Sequence, residues 1–237
     1  MVIADSANQS YREVLRDRRV AGLLLGDLLA NVGTGMIIVA MPVQTLLIHG
    51  SVPKAIAIGL VDTAPFVLST LLALSIGLGR VRVPPRTLLI LDCVLRSSIS
   101  VVLGVLAVTG RLTLPMLIVG LLVGEMFRLA GSSSRRLLAT SMAGETGQFA
   151  VNGMLGLNTT FALYVVGPVV GGVLVATVSP GIAFFFDACG ALILFSAVLL
   201  SVPRAGDDPD ALRDPASRES GWRILRRRPV AARLMIV

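Results

Sequence analysis

Apolar residues along this chain do not recur with a period of two or of 3.6. They run in blocks of about twenty, almost free of charge and separated by short polar stretches. A helix of that length covers about 30 Å, the thickness of a bilayer's hydrocarbon core. Six such blocks predict six membrane-spanning helices, at 20–47, 55–78, 87–108, 112–130, 151–178 and 181–202. The expected fold class is therefore all-α, a polytopic six-helix bundle. Several blocks exceed twenty residues, which permits tilt or a kink.

Composition agrees with the pattern. Hydrophobic residues make up 54% of the chain and charged residues 15%, against about 45–50% and 25% in a soluble domain. The net charge of +7 would point to nucleic acid if the arginines shared one face of a folded domain. They do not. Arg12, Arg16, Arg18 and Arg19 precede the first block, and Arg80, Arg82 and Arg86 lie between the second and third. Arg128, Arg135 and Arg136 lie at and after the end of the fourth, and a further set follows the sixth. The opposite connections hold only Lys54 and Arg111. By the positive-inside rule both termini are expected in the cytoplasm, with the chain in the cell membrane. No nucleic-acid partner is expected. Residues 1–19 mix Asp5, Glu13 and Asp17 with arginine and do not read as a signal peptide.

The polar segment "RAGDDPDALRDPASRES" reads as a cytoplasmic linker, placed at 203–222. After it, an offset of about 210 residues lays "ILRRRPVAARLM" over "VLRDRRVAGLLL" from the start of the chain. Leu15, Arg16, Arg18, Val20, Ala21 and Leu24 match Leu225, Arg226, Arg228, Val230, Ala231 and Leu234. The expected organisation is a cytoplasmic segment at 1–19, a bundle at 20–202, the linker, and the truncated start of a second parallel repeat at 223–237.

Several stretches carry a family resemblance. "GLGRVRVPPR" stands where one transporter family has a Gly-x-x-x-Asp-Arg-x-Gly-Arg-Arg loop between spans two and three. Gly77, Arg82 and Arg86 fit, while Val81, Pro84 and Pro85 depart from it. "VVGPVVGG" resembles an exporter motif in span five through Gly167, Pro168, Gly171 and Gly172, with Leu163 where an earlier glycine is expected. With "YREVLRDRRVAGLLLGDLLANVGTGM" and "DACGALILFSAVLL" in order, the chain resembles the major facilitator superfamily, specifically bacterial drug and siderophore exporters of the macrolide- or enterobactin-exporter kind. The likeness extends over the first half of a twelve-span member. It implies a cavity between two six-helix halves, lined by spans one and four, with spans three and six outside. It also implies a cytoplasmic latch at Arg82 and Arg86, and a bend at Pro168 that governs which side the cavity opens to. The plain alternative for the second motif is packing: Pro168 bends a helix, and Gly167 and Gly171 let another helix approach.

Charges inside spans are costly in hydrocarbon and must face a partner, a cavity or water. Asp27 lies about 10 Å into the first span, with Asn31 one turn later on the same face. Asp62 lies in the outer half of the second. Asp92 with Arg96, and Glu125 with Arg128, are spaced to form structural ion pairs on single helix faces. Asp27 and Asp62 have no arginine one turn away. One reading gives them a proton or a partner on another helix. The sharper one makes Asp27, Asn31, Asp62 and Glu125 a substrate and proton pathway, in which a cavity carboxylate exchanges a proton for substrate. Asp187 is read as structural, His49 as a solvated loop residue, and "SSSRR" at 132–136 as a cytoplasmic loop.

No Walker loop, metal-ligand spacing or nucleophile–base set is present, and Cys93 and Cys189 lie in apolar blocks. The chain is not expected to be an enzyme and needs no cofactor. The expected function is proton-coupled export of a small amphipathic compound by alternating access. Its expected partners are the lipid bilayer, the small-molecule substrate, protons and a second six-helix half. A non-transporting membrane protein that acts only through a partner chain is the alternative.

Overall fold

The computed structural model describes residues 11–77 and 83–202. These form α1 (Tyr11–Arg16), α2 (Arg18–Ile48), α3 (Lys54–Gly77), α4 (Pro85–Val108), α5 (Leu114–Gly124), α6 (Arg128–Asn158), a π-helix (Thr159–Val166), α7 (Gly167–Thr177) and α8 (Ile182–Ser201). No strand occurs among the described residues. Six stretches are long and apolar enough to cross a bilayer: Arg18–Ile48, Lys54–Ile76, Pro85–Val108, Leu114–Gly144, Thr146–Thr177 and Ile182–Ser201. The protein is an all-α multi-pass membrane bundle. The linker and the start of a second repeat, read from the sequence at 203–222 and 223–237, lie outside the described residues.

Local chemistry accounts for the element ends. The Asp17 side chain accepts from the Arg19 N–H at 2.8 Å and caps α2. Pro84 precedes α4 and Pro85 opens it, where a missing N–H costs nothing. At the far end of the bundle Gly110 turns the chain from α4 toward α5 with φ of 68°, a left-handed conformation that glycine adopts without strain.

The fourth and fifth spans differ most from the sequence reading. The fourth does not end at Ala130 but continues to Gly144, and the expected "SSSRR" loop is helical. Ser132 and Ser133 return their hydroxyls to the Leu129 carbonyl, both at 2.9 Å, which satisfies them within the helix. The turn into the fifth span is Gly144, where φ is 67° and ψ is −179°. A helix built from this polar segment was invisible to an apolar-block criterion.

Packing is centred on α2. In its most apolar stretch 61% of residues are buried, against 22% in α3 and in the fifth span. It packs against α8 and α7, and α4 packs against α8 and α6. Small residues permit this. A Cβ on Gly171 would stand 2.7 Å from Met36 Cα, and one on Gly167 would stand 2.5 Å from Gly35 Cα. Gly190 meets the α2 backbone at Leu29 and Ala30 in the same way. These approaches exchange side-chain volume for backbone contact, the usual basis of helix association in lipid.

Two large apolar clusters form toward the ends of the bundle, and a smaller third joins Met36, Ala40 and Ala183. The first joins Val20, Leu23, Leu89, Ala139, Val151 and Val198 at the arginine-rich end. The second joins Met41, Val61, Leu103, Leu117, Leu121 and Phe184 toward the opposite end. Outward-facing residues such as Leu60, Leu71, Val102, Val119, Val169 and Leu200 are apolar and exposed, a surface suited to lipid tails.

Candidate functional site: a polar seam at membrane depth

Among these apolar clusters the helices bring charged residues together in three places. The first joins α2 to α6. Arg135 Nη1 donates to Asp27 Oδ1 at 2.5 Å. Asn31 Nδ2 donates to the same oxygen at 3.2 Å. Asn158 Nδ2 donates to Asp27 Oδ2 and to the Leu24 carbonyl, both at 3.0 Å. Asp27 is 2% exposed, so its charge is met by an arginine and two amides rather than by water.

The second joins α2, α4 and α8. Arg96 donates from Nε to Asp187 Oδ2 at 3.1 Å and from Nη2 to Asp187 Oδ1 and Thr34 Oγ1. Ser100 donates its hydroxyl to Asp187 Oδ2 at 2.9 Å. This corrects the expected Asp92–Arg96 pair. The four-residue spacing allowed that pair. However, Asp187 offers the guanidinium two oxygens and Thr34 offers a third acceptor. Asp92, one turn before Arg96, instead faces Gly131 of the fourth span.

The third site is a break in the fourth span. α5 stops at Gly124 and α6 starts at Arg128. Glu125 and Phe127 hold φ near −95° and ψ near 4° and 3°, outside the helical region. Ser69 of α3 fills part of the gap: its Oγ accepts from the Leu129 N–H at 3.1 Å, a donor left free at the helix start. Arg128 Nη1 reaches Glu125 Oε2 at 2.9 Å. Glu125 stands eleven residues into the Leu114–Gly144 span, about 17 Å deep. The sequence had put this pair near the inner end of a shorter helix. The longer span puts it about a third of the way along its length. Broken backbone at that depth is tolerated where it is buried in protein or lines a cavity.

It lines one here. A cavity of about 400 Å³ is walled by Thr34, Asp62, Glu125, Arg128, Tyr164 and Asp187, with apolar residues between them. A second, of about 220 Å³, lies toward the arginine-rich end and is lined by Asp27, Ser132, Ser133, Arg135, Arg136 and Thr159. Three sequence candidates therefore line a cavity: Asp62 and Glu125 the larger, Asp27 the smaller. Asn31 supports Asp27. Arg135, Asn158, Ser69, Thr34 and Ser100 were not singled out. Arg135 had been counted as a loop charge. Asn158 was legible as a polar residue inside an apolar block.

The fifth-span motif sits beside this seam. Pro168 has no N–H, and its ring conflicts with the α-helical turn before it. The chain responds with a π-helix over Thr159–Val166, in which the Gly167 N–H reaches the Ala162 carbonyl. Gly167 and Gly171 pack on α2, while nothing lies within 4 Å of a Cβ placed on Gly172. In the loop motif, Gly77 ends α3 and Arg86 lies in the first turn of α4, with its Nε buried and unpartnered. Arg82 lies outside the described residues.

A multidrug efflux pump of Mycolicibacterium fortuitum, Tap, is 29% identical to this chain over 225 residues, which are 91% of the chain and 54% of the pump. The chain thus spans about half the length of this curated relative. No family model matches it, and no solved structure matches it. The chain is similar, over most of its length, to part of a drug exporter.

Proposed function

We propose that this bundle is one half of a secondary exporter of the major facilitator type, moving a small amphipathic compound out of the cell by alternating access in exchange for protons. The observation that carries the reading is the larger cavity. It lies at membrane depth beside a broken span and sets Asp62, Glu125 and Arg128 among apolar walls. Such a site can hold an apolar molecule bearing a positive or hydrogen-bonding group. The similarity to a multidrug efflux pump supports the same class, including macrolides and siderophores among the compounds to be tried. In this reading Asp27, Asn31, Asp62 and Glu125 line the substrate and proton path. Arg82 and Arg86 act as a cytoplasmic latch, and both termini lie in the cytoplasm. The π-helix before Pro168 is the flexible joint.

The cavity is walled by one bundle only, and α3 and the fifth span are largely exposed. A second six-helix half, from a continuation, a separate chain or another copy, would close it and keep Asp62 out of lipid. The test is dye retention in a bacterium stripped of its own drug pumps. The full chain together with a second six-helix half is expected to lower retention of a fluorescent cationic dye several-fold. Glu125→Gln with Asp62→Asn is expected to restore it. Unchanged retention with every partner arrangement would remove the exporter reading.

A further inference from the structure

The seam holds four buried or half-buried carboxyl groups and three arginines. Three of the carboxylates are matched: Asp27 by Arg135, Glu125 by Arg128, and Asp187 by Arg96. Asp92 is the fourth. It is 4% exposed, and its Oδ1 accepts no hydrogen bond. On the side of the fourth span it is covered by Gly131, where even a Cβ would stand 2.5 Å from Oδ2. The charged groups around it are Arg96 on its own helix, and Glu125, Arg128 and Arg135 on the fourth span. Behind these stand Asp187 of α8 and Asp27 of α2, each already holding an arginine. If Asp92 were ionised, an unmatched negative charge would lie buried inside a membrane span, about 10 Å from its arginine-rich end. That is the most costly arrangement available to it. Holding one proton, these four acids and three arginines are neutral together, while Asp62 of α3 is exposed and stands outside the set.

We infer that Asp92 is the proton-carrying carboxyl of this bundle, and that the proton exchanged during export binds there. This rests on the exporter reading above for its second clause only. The proton adds to a carboxylate oxygen of Asp92 from water and returns to water, and no other bond changes. Asp92 is poised for this by its neighbours. A shift of the broken fourth span that freed Arg128 or Arg135 would offer Asp92 a cation and expel its proton. Closure of the seam would take the cation away and draw a proton back. Asp27 and Glu125, two of the residues the sequence put on the proton path, are instead paired with Arg135 and Arg128.

Infrared spectroscopy of the full chain in lipid vesicles tests the first clause, because a protonated carboxyl has a C=O stretch that shifts between H2O and D2O. Asp92→Asn is expected to abolish one such band at neutral pH. Asp27→Asn, which frees Arg135, is expected to weaken it, and Asp92→Glu to move it without loss. If Asp92→Asn leaves the acid bands unchanged while Asp92→Glu also moves none, the proposal falls. For the second clause, dye-driven proton flux is measured in vesicles holding both halves. Asp92→Asn should abolish proton counterflow while dye binding, followed by fluorescence polarisation, persists. Normal counterflow in a variant that has lost the band would overturn the coupling role. Absence of any dye transport in the parent protein would count against the exporter reading alone, since the infrared result stands without it.

Discussion

At the scale of single residues, the strongest constraint is the buried Arg96–Asp187 pair. Its side chains are 9% and 5% exposed, so removing one charge leaves the other without water. Asp187→Asn is expected to destabilise the bundle by about 3–5 kcal/mol, read as a lower midpoint in denaturant unfolding from detergent micelles. Replacing both groups, as Asp187→Leu with Arg96→Leu, is expected to cost less than either single change, because no charge is stranded. Thr34→Val removes a third acceptor from Arg96 and should cost about 1–2 kcal/mol in the same assay. Sequence spacing pointed to the wrong partner for Arg96. Helical periodicity ranks neighbours within one helix, and nothing in a single sequence says which face of α8 will meet α4.

At the scale of elements, the fifth span shows how a short motif divides its labour. Gly171 is pressed on the α2 backbone and Gly172 faces open space. Gly171→Leu should therefore separate α2 from α7 and reduce the yield of folded protein in detergent several-fold. Gly172→Leu should leave that yield near the parent level. Size-exclusion profiles of the two variants check the contrast. Equal loss in both would remove the packing role assigned to Gly171. A proline inside an apolar block was enough to expect a bend. The π-helix that takes up the strain depends on Pro168 lying against Gly35, which is a tertiary contact. The break at Glu125–Phe127 gave no sequence signal, since no proline stands there. It persists because Ser69 of another helix supplies the missing acceptor.

At the scale of the whole molecule, the bundle has an inside and an outside of opposite design. Cys93 is buried in the cluster at the arginine-rich end, and Cys189 is exposed on α8. Pyrene maleimide in native vesicles is expected to label Cys189 and to spare Cys93, with both labelled after unfolding in SDS. Cys189→Ser should then abolish native labelling. Labelling of Cys93 in the native protein would contradict the packing of α4 against the fourth span. The polar seam among the apolar clusters follows the same logic at larger scale. Apolar side chains fill both ends or face lipid. Most of the charges inside the spans meet one another and wall two cavities.

The run of apolar blocks by itself determined that the chain crosses a membrane six times. A twenty-residue stretch without charge cannot remain in water, and its backbone can be satisfied in lipid only as a helix. Four of the spans, α2, α3, α4 and α8, begin and end within about two residues of where those blocks placed them. The sequence likewise named Asp27, Asp62, Asp92, Glu125 and Asp187 as residues needing an explanation, because ionisable groups in hydrocarbon always do. Which arginine each acid meets was decided only by tertiary structure. That depends on helix rotation and depth, and both are set by close glycine contacts and by a fourth span longer than its apolar core. The same packing leaves Asp92 without a partner, which the sequence had paired by proximity.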